Sequence, residues 1–502
     1  MIVVGLNSKR HEGAIAVGAA GRLAGVCAEA RVTRERGNQP CGGWPEAAAA
    51  LMLRRLGHEP AAVGRWIVAG DGSDGATPPW VRGPVDVIPP HLAHANTAYR
   101  TSPFTSAVIV VCDHAAPEVS VWIGEGETIR PLDWPWTGAG FATAYAAVAE
   151  ALGLGVVAPG QRLEALARLA PDGVAATVPA LLHVTPAGLQ LSPSAPAAIA
   201  EAGVADGHAG RPVGVTAAAA LLTQLGDRLI EWLHEVRRTV DHPHLCLGGS
   251  LFRQSSMTTR AKQAGLFDEV FVPVDPGDGG LAVGAALHGL GGAPAAASPF
   301  LGPAYAAEEI KEVLANCKLL YSWESDERGV QVAVEALMAG RMVGWFDGAM
   351  EWGPRALGAR SILASPFSPY VLENLNRFLK HREPWRGYSL SGLAADVHAH
   401  FDGPDGAPYM ECDYRPRDPQ RFRYVLPAPG ASLRLQTVVD DGPPRFRRLL
   451  EAFGEASGLP FLVNTSFNGF HEPIVCSPRD AVRVFYGSGV DVLVMPPFVL
   501  RK

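Results

Sequence analysis

Apolar runs of strand length that end in a glycine turn or an acid recur from the N-terminus to Leu290, and helical stretches alternate with them. "MIVVGL" leads through the polar turn "NSKRHEG" to "AIAVGA" and, after "AAG", to "GRLAGVCAEARV", which predicts three consecutive strands. "SAVIVVCDHA" reads as a buried strand closed by Asp113. The amphipathic pattern from Val215 to Val240 predicts a helix that leads into "HLCLGGS", a strand entering a glycine turn. "RQSSMTTRAKQAGL" is then a helix, "DEVFVPV" a strand, and "DPGDGGLAVGAALHGL" an acidic glycine loop opening another helix. Strand, loop and helix in this alternation predict an α/β fold.

A chain of 502 residues is too long for one core. "LGGAPAAASPFLGPAY" (290–305), rich in Gly, Ala, Pro and Ser, is the linker candidate, and the texture changes beyond it to long loops and many arginines. The expected organisation is residues 1–300, a linker region at 301–317, and a second α/β domain over 318–502. The net charge of −7 gives no global reason to bind nucleic acid or an anionic membrane. Seven cysteines without a C-x-x-C suggest neither a disulfide framework nor a Cys-zinc site. No apolar run reaches the roughly 18 residues of a membrane span, and the start lacks the pattern of a signal peptide. A cytoplasmic location is expected.

Three glycine-acid turns mark the N-terminal part. "GLNSKRHEG" joins two strands and lets its backbone approach a phosphate; "LCLGGS" offers Gly248 and Gly249 to a nucleotide; "GDGG" places Asp278 at a helix start, as a cap or a metal ligand. A plain turn explains any one of them alone. "VIPPHLAHANTAY" sets His91 and His94 three residues apart, on one face of a helix, either as metal ligands or as ordinary histidines at a helix start. With Asp113 they suit Fe(II), Mn(II) or Zn(II) better than Ca(II). His11, in the first turn, is a candidate general base or an exposed turn histidine. Jointly, the turns and acids resemble the actin/hexokinase-type ATPase fold, whose two halves each supply a phosphate hairpin and an acid to a shared cleft.

The C-terminal part holds "EWGPRALGARSIL" and "NRFLKHREPWRG". Convergence of Arg355, Arg360, Lys380 and Arg386 without an anion is costly, and Arg suits bidentate phosphate or carboxylate recognition. A phosphorylated dianion is the expected partner. Arg377 and Arg382 read as a solvated helix face. "VNTSFN" (Val463–Asn468) reads as a strand terminus presenting amides and hydroxyls to a ligand, or as a simple polar turn.

"HLAHA", "GD.G.AVGAAL", "GPRALGARSIL", "N..LKHRE.WR" and "VNTSFN…EPIV" together resemble the nodulation- and antibiotic-type O-carbamoyltransferases, essentially end to end. The resemblance implies an actin-like transferase domain followed by a YrdC-like domain. The latter would turn carbamoyl phosphate and ATP, with Mg2+, into carbamoyl adenylate. The former would pass the carbamoyl group to a small-molecule alcohol and release AMP. It implies an anion pocket of Arg355, Lys380, Arg386, Arg434, Asn464 and Ser466, with Lys380 and Arg386 catalytic. It makes His11 the base that deprotonates the acceptor, and Gly248 and Gly249 the nucleotide's neighbours. Asp113, Asp278 and His94 become ligands of Fe2+ or another divalent transition metal, with His91 as a further candidate. A homodimer is common for such enzymes. The chain departs from the family in several places: Pro90 stands where a histidine ligand is usual, "GGSLFR" places Arg253 beside the nucleotide in place of Asn, "WRGYSLS" replaces a proline-rich continuation, and the stretch between the first hairpin and "HLAHA" is shorter than usual. A threonylcarbamoyl-type tRNA-modifying enzyme and a catalytically altered actin-fold regulator are the alternatives. The acidic net charge and the retained Arg/Lys set count against them.

Overall fold

The computed structural model describes residues 1–8, 12–35, 43–70, 78–114, 117–134, 140–155, 159–185 and 188–502. Two of its sheets repeat one topology. In the first, Ile2–Asn7 is central; Ala14–Ala19 and Arg22–Ala28 continue it on one side as an antiparallel meander, and Val63–Ala69 and Val85–Ile88 lie parallel on the other. In the second, Ser106–Cys112 is central, with Val119–Glu125 and Thr128–Leu132 as the meander and His244–Gly248 and Glu269–Phe271 parallel. Each central strand is covered on both faces, which is why it reads in sequence as an unbroken apolar run. This duplicated order is the one that the actin/hexokinase-type resemblance implies, and the α/β expectation holds.

Parallel pairing requires crossover connections; helix Glu46–Arg55 lies in the one between Ile2–Asn7 and Val63–Ala69, and a long helix from Val215 in the one between Ser106–Cys112 and His244–Gly248. Pro90–Arg100 leaves the first sheet and Leu281–Leu290 the second, and the two helices pack against each other between the sheets. The approach is close because position 284 is glycine: a Cβ there would lie 1.9 Å from the carbonyl oxygen of Ala93. Gly284→Ala must therefore push the helices apart. It is expected to cost about 1–3 kcal/mol, read as a lowered melting temperature of the full chain. The predicted helix from Val215 is observed as Val215–Thr239.

The third sheet is mixed and ten-stranded, running from Ser322–Trp323 at one edge to Phe401–Asp402 at the other. Side chains of Arg360–Ala364 and Phe461–Ser466 alternate between two cores, Ile362, Ala364, Phe461 and Val463 on one face and Leu363 and Leu462 on the other. Helices Asp326–Met338 and Pro444–Ser457 cover the second face, while Ala307–Asn316 brings Ile310 and Leu314 to the first. The Gly/Pro-rich stretch between Leu290 and Ala307 has no regular structure, yet it is tied down on both sides. Leu301 O accepts from Val26 N at 2.9 Å, and Gly302 N donates to Met350 O at 2.8 Å. Among the described residues no helix is long and apolar enough to cross a membrane.

Candidate functional site

A cleft of about 1180 Å³ opens between the first two sheets and the third. Gly13, Ser250, Arg253 and Asp275 line it from the N-terminal side, and Arg355, Arg386, Arg434, Asn464 and Ser466 from the C-terminal side. His11 lies outside the described residues.

One end of the N-terminal constellation is built by chain ends that the two sheets bring together. Asp113 follows strand Ser106–Cys112; His94 sits on helix Pro90–Arg100; Asp278 stands just before helix Leu281–Leu290. One donor atom from each of the three lies within 4.8 Å of the others, and no other such group exists among the described residues. Asp113 Oδ2 is 3.2 Å from His94 Nε2, and Asp113 Oδ1 accepts from Ser250 N at 3.0 Å. Burial disfavours a charged His94, but the carboxylates of Asp113, Asp278 and Asp275 outweigh it and raise the imidazole pKa. Burial likewise disfavours the Asp113 carboxylate, and His94 and Ser250 overcome this to hold it well below the usual range.

Pro90 occupies the first turn of its helix, where its missing N–H is no loss. His91 is not part of the cluster: its Nδ1 lies 2.6 Å from Ser120 Oγ on strand Val119–Glu125. His114 lines the cleft but is also outside the cluster. The buried Nδ1 of His94 has no hydrogen-bond partner among the described residues. One imidazole and two carboxylates fit a divalent transition ion. Held by His94, Asp113 and Asp278, such an ion would stabilise negative charge on an oxygen bound in the cleft.

Gly248 and Gly249 close strand His244–Gly248, and geometry requires the second glycine. Its φ is +96°, a Cβ would lie 2.1 Å from Cys112 O, and its N–H donates to Pro276 O at 2.7 Å. The turn thus presses the two parallel strand ends together and aims Ser250 N at Asp113. Arg253 does not project as a free cation. Asp275 holds its Nε and Nη2 at 2.9–3.0 Å, and Glu12 Oε2 accepts from Nη2 at 2.6 Å. Despite burial, these acids raise the guanidinium pKa. The clamp thus takes two of the three guanidinium nitrogens of Arg253, the residue expected beside a nucleotide, while the side chain still lines the cleft. Sequence reading missed Asp275, which "VDPGDGG" hides beside the more conspicuous Asp278.

The C-terminal wall is strongly basic. Arg355 makes one hydrogen bond, to Arg253 O at 3.3 Å, and no acid pairs with it among the described residues. Burial and the neighbouring Arg434 charge push its pKa far down. Arg386 is 3.7 Å from Glu383, and burial with the Arg382 charge pushes it down to about 10. Arg434, on strand Leu433–Val438, donates from Nε to Ser255 Oγ at 2.7 Å and from Nη2 to Glu164. Ser466 Oγ donates to Asn468 Oδ1 at 2.8 Å. Asn464 donates from Nδ2 to Ala356 O and Ser391 Oγ, and its buried Oδ1 has no partner among the described residues.

Three expectations for this wall change. Arg360 is fully buried, donates to the carbonyls of Asp347, Ala359, Pro303 and Gly348, and stacks on Phe346, so it holds the loop and not a ligand. Lys380 does not line the cleft; its ammonium donates to Ser466 O at 2.6 Å and to Asn468, and so braces the turn that carries Ser466. Arg382 lines the cleft in place of facing solvent, anchored by Asn376 Oδ1, whereas Arg377 is the exposed residue expected. The N-terminal part also sends Tyr145, Arg168 and Gln254 to this end of the cleft, which no motif signalled.

Residues 334–502 match the family described as carbamoyltransferase C-terminus. Nodulation protein NolO of Bradyrhizobium diazoefficiens is 34% identical over 284 residues, 54% of this chain and 51% of that protein. Nodulation protein U of Rhizobium tropici is 33% identical over 233 residues, 45% and 38% of the two chains. An uncharacterized Synechocystis protein, sll1178, is 35% identical over 292 residues, 52% and 48%. The chain spans about half the length of the first of these curated relatives. A solved structure of full-length HypF in the phosphate- and nucleotide-bound form covers 58% of this chain and 55% of its own at 10% identity, with a TM-score of 0.41.

Proposed function

We propose, from the premise that residues 334–502 belong to the carbamoyltransferase C-terminus family, that the chain is an ATP-dependent O-carbamoyltransferase using the cleft for two consecutive steps. The observation that carries this reading is Arg355, a half-buried cation that no acid pairs with among the described residues, in a cleft that also reaches Ser250 beside the His94, Asp113 and Asp278 cluster. Only an anionic ligand completes such a wall, and two polyanions must be held together there. In the first step carbamoyl phosphate and water give carbamate and phosphate. The carbamate oxygen attacks the α-phosphorus of ATP, whose bond to the pyrophosphate leaving group breaks, and carbamoyl adenylate remains. Arg355, Arg386 and Arg434 screen the crowded phosphate oxygens, and Ser466 and Asn464 orient the carbamoyl end. In the second step an alcohol oxygen attacks the carbamoyl carbon, its proton leaves to a base, and AMP departs. His11 is the base proposed for that proton, and His94, Asp113 and Asp278 are the residues that would hold a divalent ion in the cleft. YrdC-like architecture for residues 318–502 and Mg2+ accompanying ATP belong to the same reading.

The partnerless Oδ1 of Asn464 favours a ligand with N–H donors, which the carbamoyl group has and an acetyl group lacks. Asn464→Ala is expected to raise the KM for carbamoyl phosphate about tenfold. Acetyl phosphate should then compete better against the variant than against the parent. An unchanged preference would place the carbamoyl nitrogen elsewhere. The function as a whole is tested by incubating the chain with ATP and carbamoyl phosphate. Equimolar phosphate and pyrophosphate are expected, with AMP rising when an acceptor alcohol gains a carbamoyl group. Release of neither product would sink the reading.

A further inference from the structure

We infer that Glu164 is a positioning residue for the anion pocket: a carboxylate of the N-terminal part that sets the guanidinium of Arg434 against the anionic substrate. The inference rests on the pocket assignment above. Glu164 lies on helix Pro159–Ala167 and is buried. It takes a hydrogen bond from Nη2 of Arg434 across 270 residues of chain, while Ser255, also from the N-terminal part, takes the one from Nε. Nη1 of Arg434 has no partner among the described residues, and the side chain lines the cleft. Two nitrogens of the fork are fixed from behind and the third is left for a ligand.

Three features make this a positioning contact and not one more interdomain ion pair. First, Arg168, which also lies near Glu164, is closer to Asp413, at 2.8 Å against 3.5 Å. The charge of Glu164 is thus directed chiefly to Arg434. Second, Glu164 is itself oriented: Ser256 donates to Oε1 from its N–H at 3.2 Å and from its hydroxyl at 3.1 Å, so Oε2 is the oxygen turned to Arg434. Third, Glu164 bonds Arg434 while its charge also reaches Arg355, which makes no ion pair among the described residues, so the acid compensates only part of the pocket's charge. A guanidinium held on two sides by charge-assisted bonds loses little freedom when it meets a phosphate. The pocket carried by the C-terminal sheet is therefore finished by a helix of the other part.

The test uses the full chain and carbamoyl phosphate-dependent pyrophosphate release. Glu164→Gln keeps size but removes the charge, and should raise the KM for carbamoyl phosphate about tenfold with kcat changed less than about twofold. Glu164→Asp should recover most of the loss, and Ser255→Ala should produce a smaller rise of the same kind. Combined with Arg434→Ala, Glu164→Gln should add almost nothing, because its effect passes through Arg434. A KM that stays at the parent value in Glu164→Gln, or an additive double variant, overturns the inference. If Glu164→Gln fails to fold, Ser255→Ala and Glu164→Asp decide the matter by the same KM and additivity readings. A parent chain that releases no pyrophosphate refutes the pocket assignment itself, which is a different failure.

Discussion

Arg355→Ala should abolish pyrophosphate release from ATP and carbamoyl phosphate, with kcat/KM falling at least about a hundredfold. The expectation follows from its surroundings. Among the described residues, Arg355 is the one pocket arginine whose single hydrogen bond goes to a backbone carbonyl, while Arg434 leans on Glu164 and Arg386 lies near Glu383. A guanidinium desolvated beside other cations destabilises the fold, so its removal should leave the melting temperature unchanged or higher. Loss of activity with retained stability identifies a ligand contact. Loss of both would show that Arg355 is structural, as Arg360 is.

The second large effect is expected at the other end of the cleft. Asp113→Ala removes one of the three clustered donors and the charge that supports His94. Removing a ligand should exceed the roughly 10–100-fold loss of metal affinity seen when only a ligand's support is changed. Carbamoyl transfer to an alcohol should fall accordingly, while pyrophosphate release in the absence of acceptor stays near the parent value. Metal content of the purified variant, set beside that of His94→Ala, supplies a readout independent of turnover. Equal loss of both half-reactions would mean that Asp113 shapes the whole cleft through Ser250 N.

Much of the fold is legible in the chain because its decisive signals are local. Ile2–Asn7, Ser106–Cys112 and His244–Gly248 are buried on both faces, so each is an apolar run bounded by a turn. Asp113 and Asp278 could be placed because each sits beside the end of a recognisable element, and His94 because it lies on one. Arginines could not be sorted in the same way. Arg360, caged by carbonyls, Arg253, clamped by Glu12 and Asp275, and Arg355, left without an acid, look alike in sequence, since what distinguishes them is contributed by distant residues. Glu164 carries no motif for the same reason. The stretch after Leu290 read as a linker from composition, and its anchoring at Leu301 and Gly302 depends on backbone atoms that composition does not encode.

The most direct test of the account is isotope exchange between pyrophosphate and ATP, measured on the full chain without any acceptor. If the cleft forms carbamoyl adenylate, labelled pyrophosphate enters ATP only when carbamoyl phosphate is present, and Arg355→Ala abolishes the exchange. Exchange that ignores carbamoyl phosphate, or no exchange at all, contradicts it.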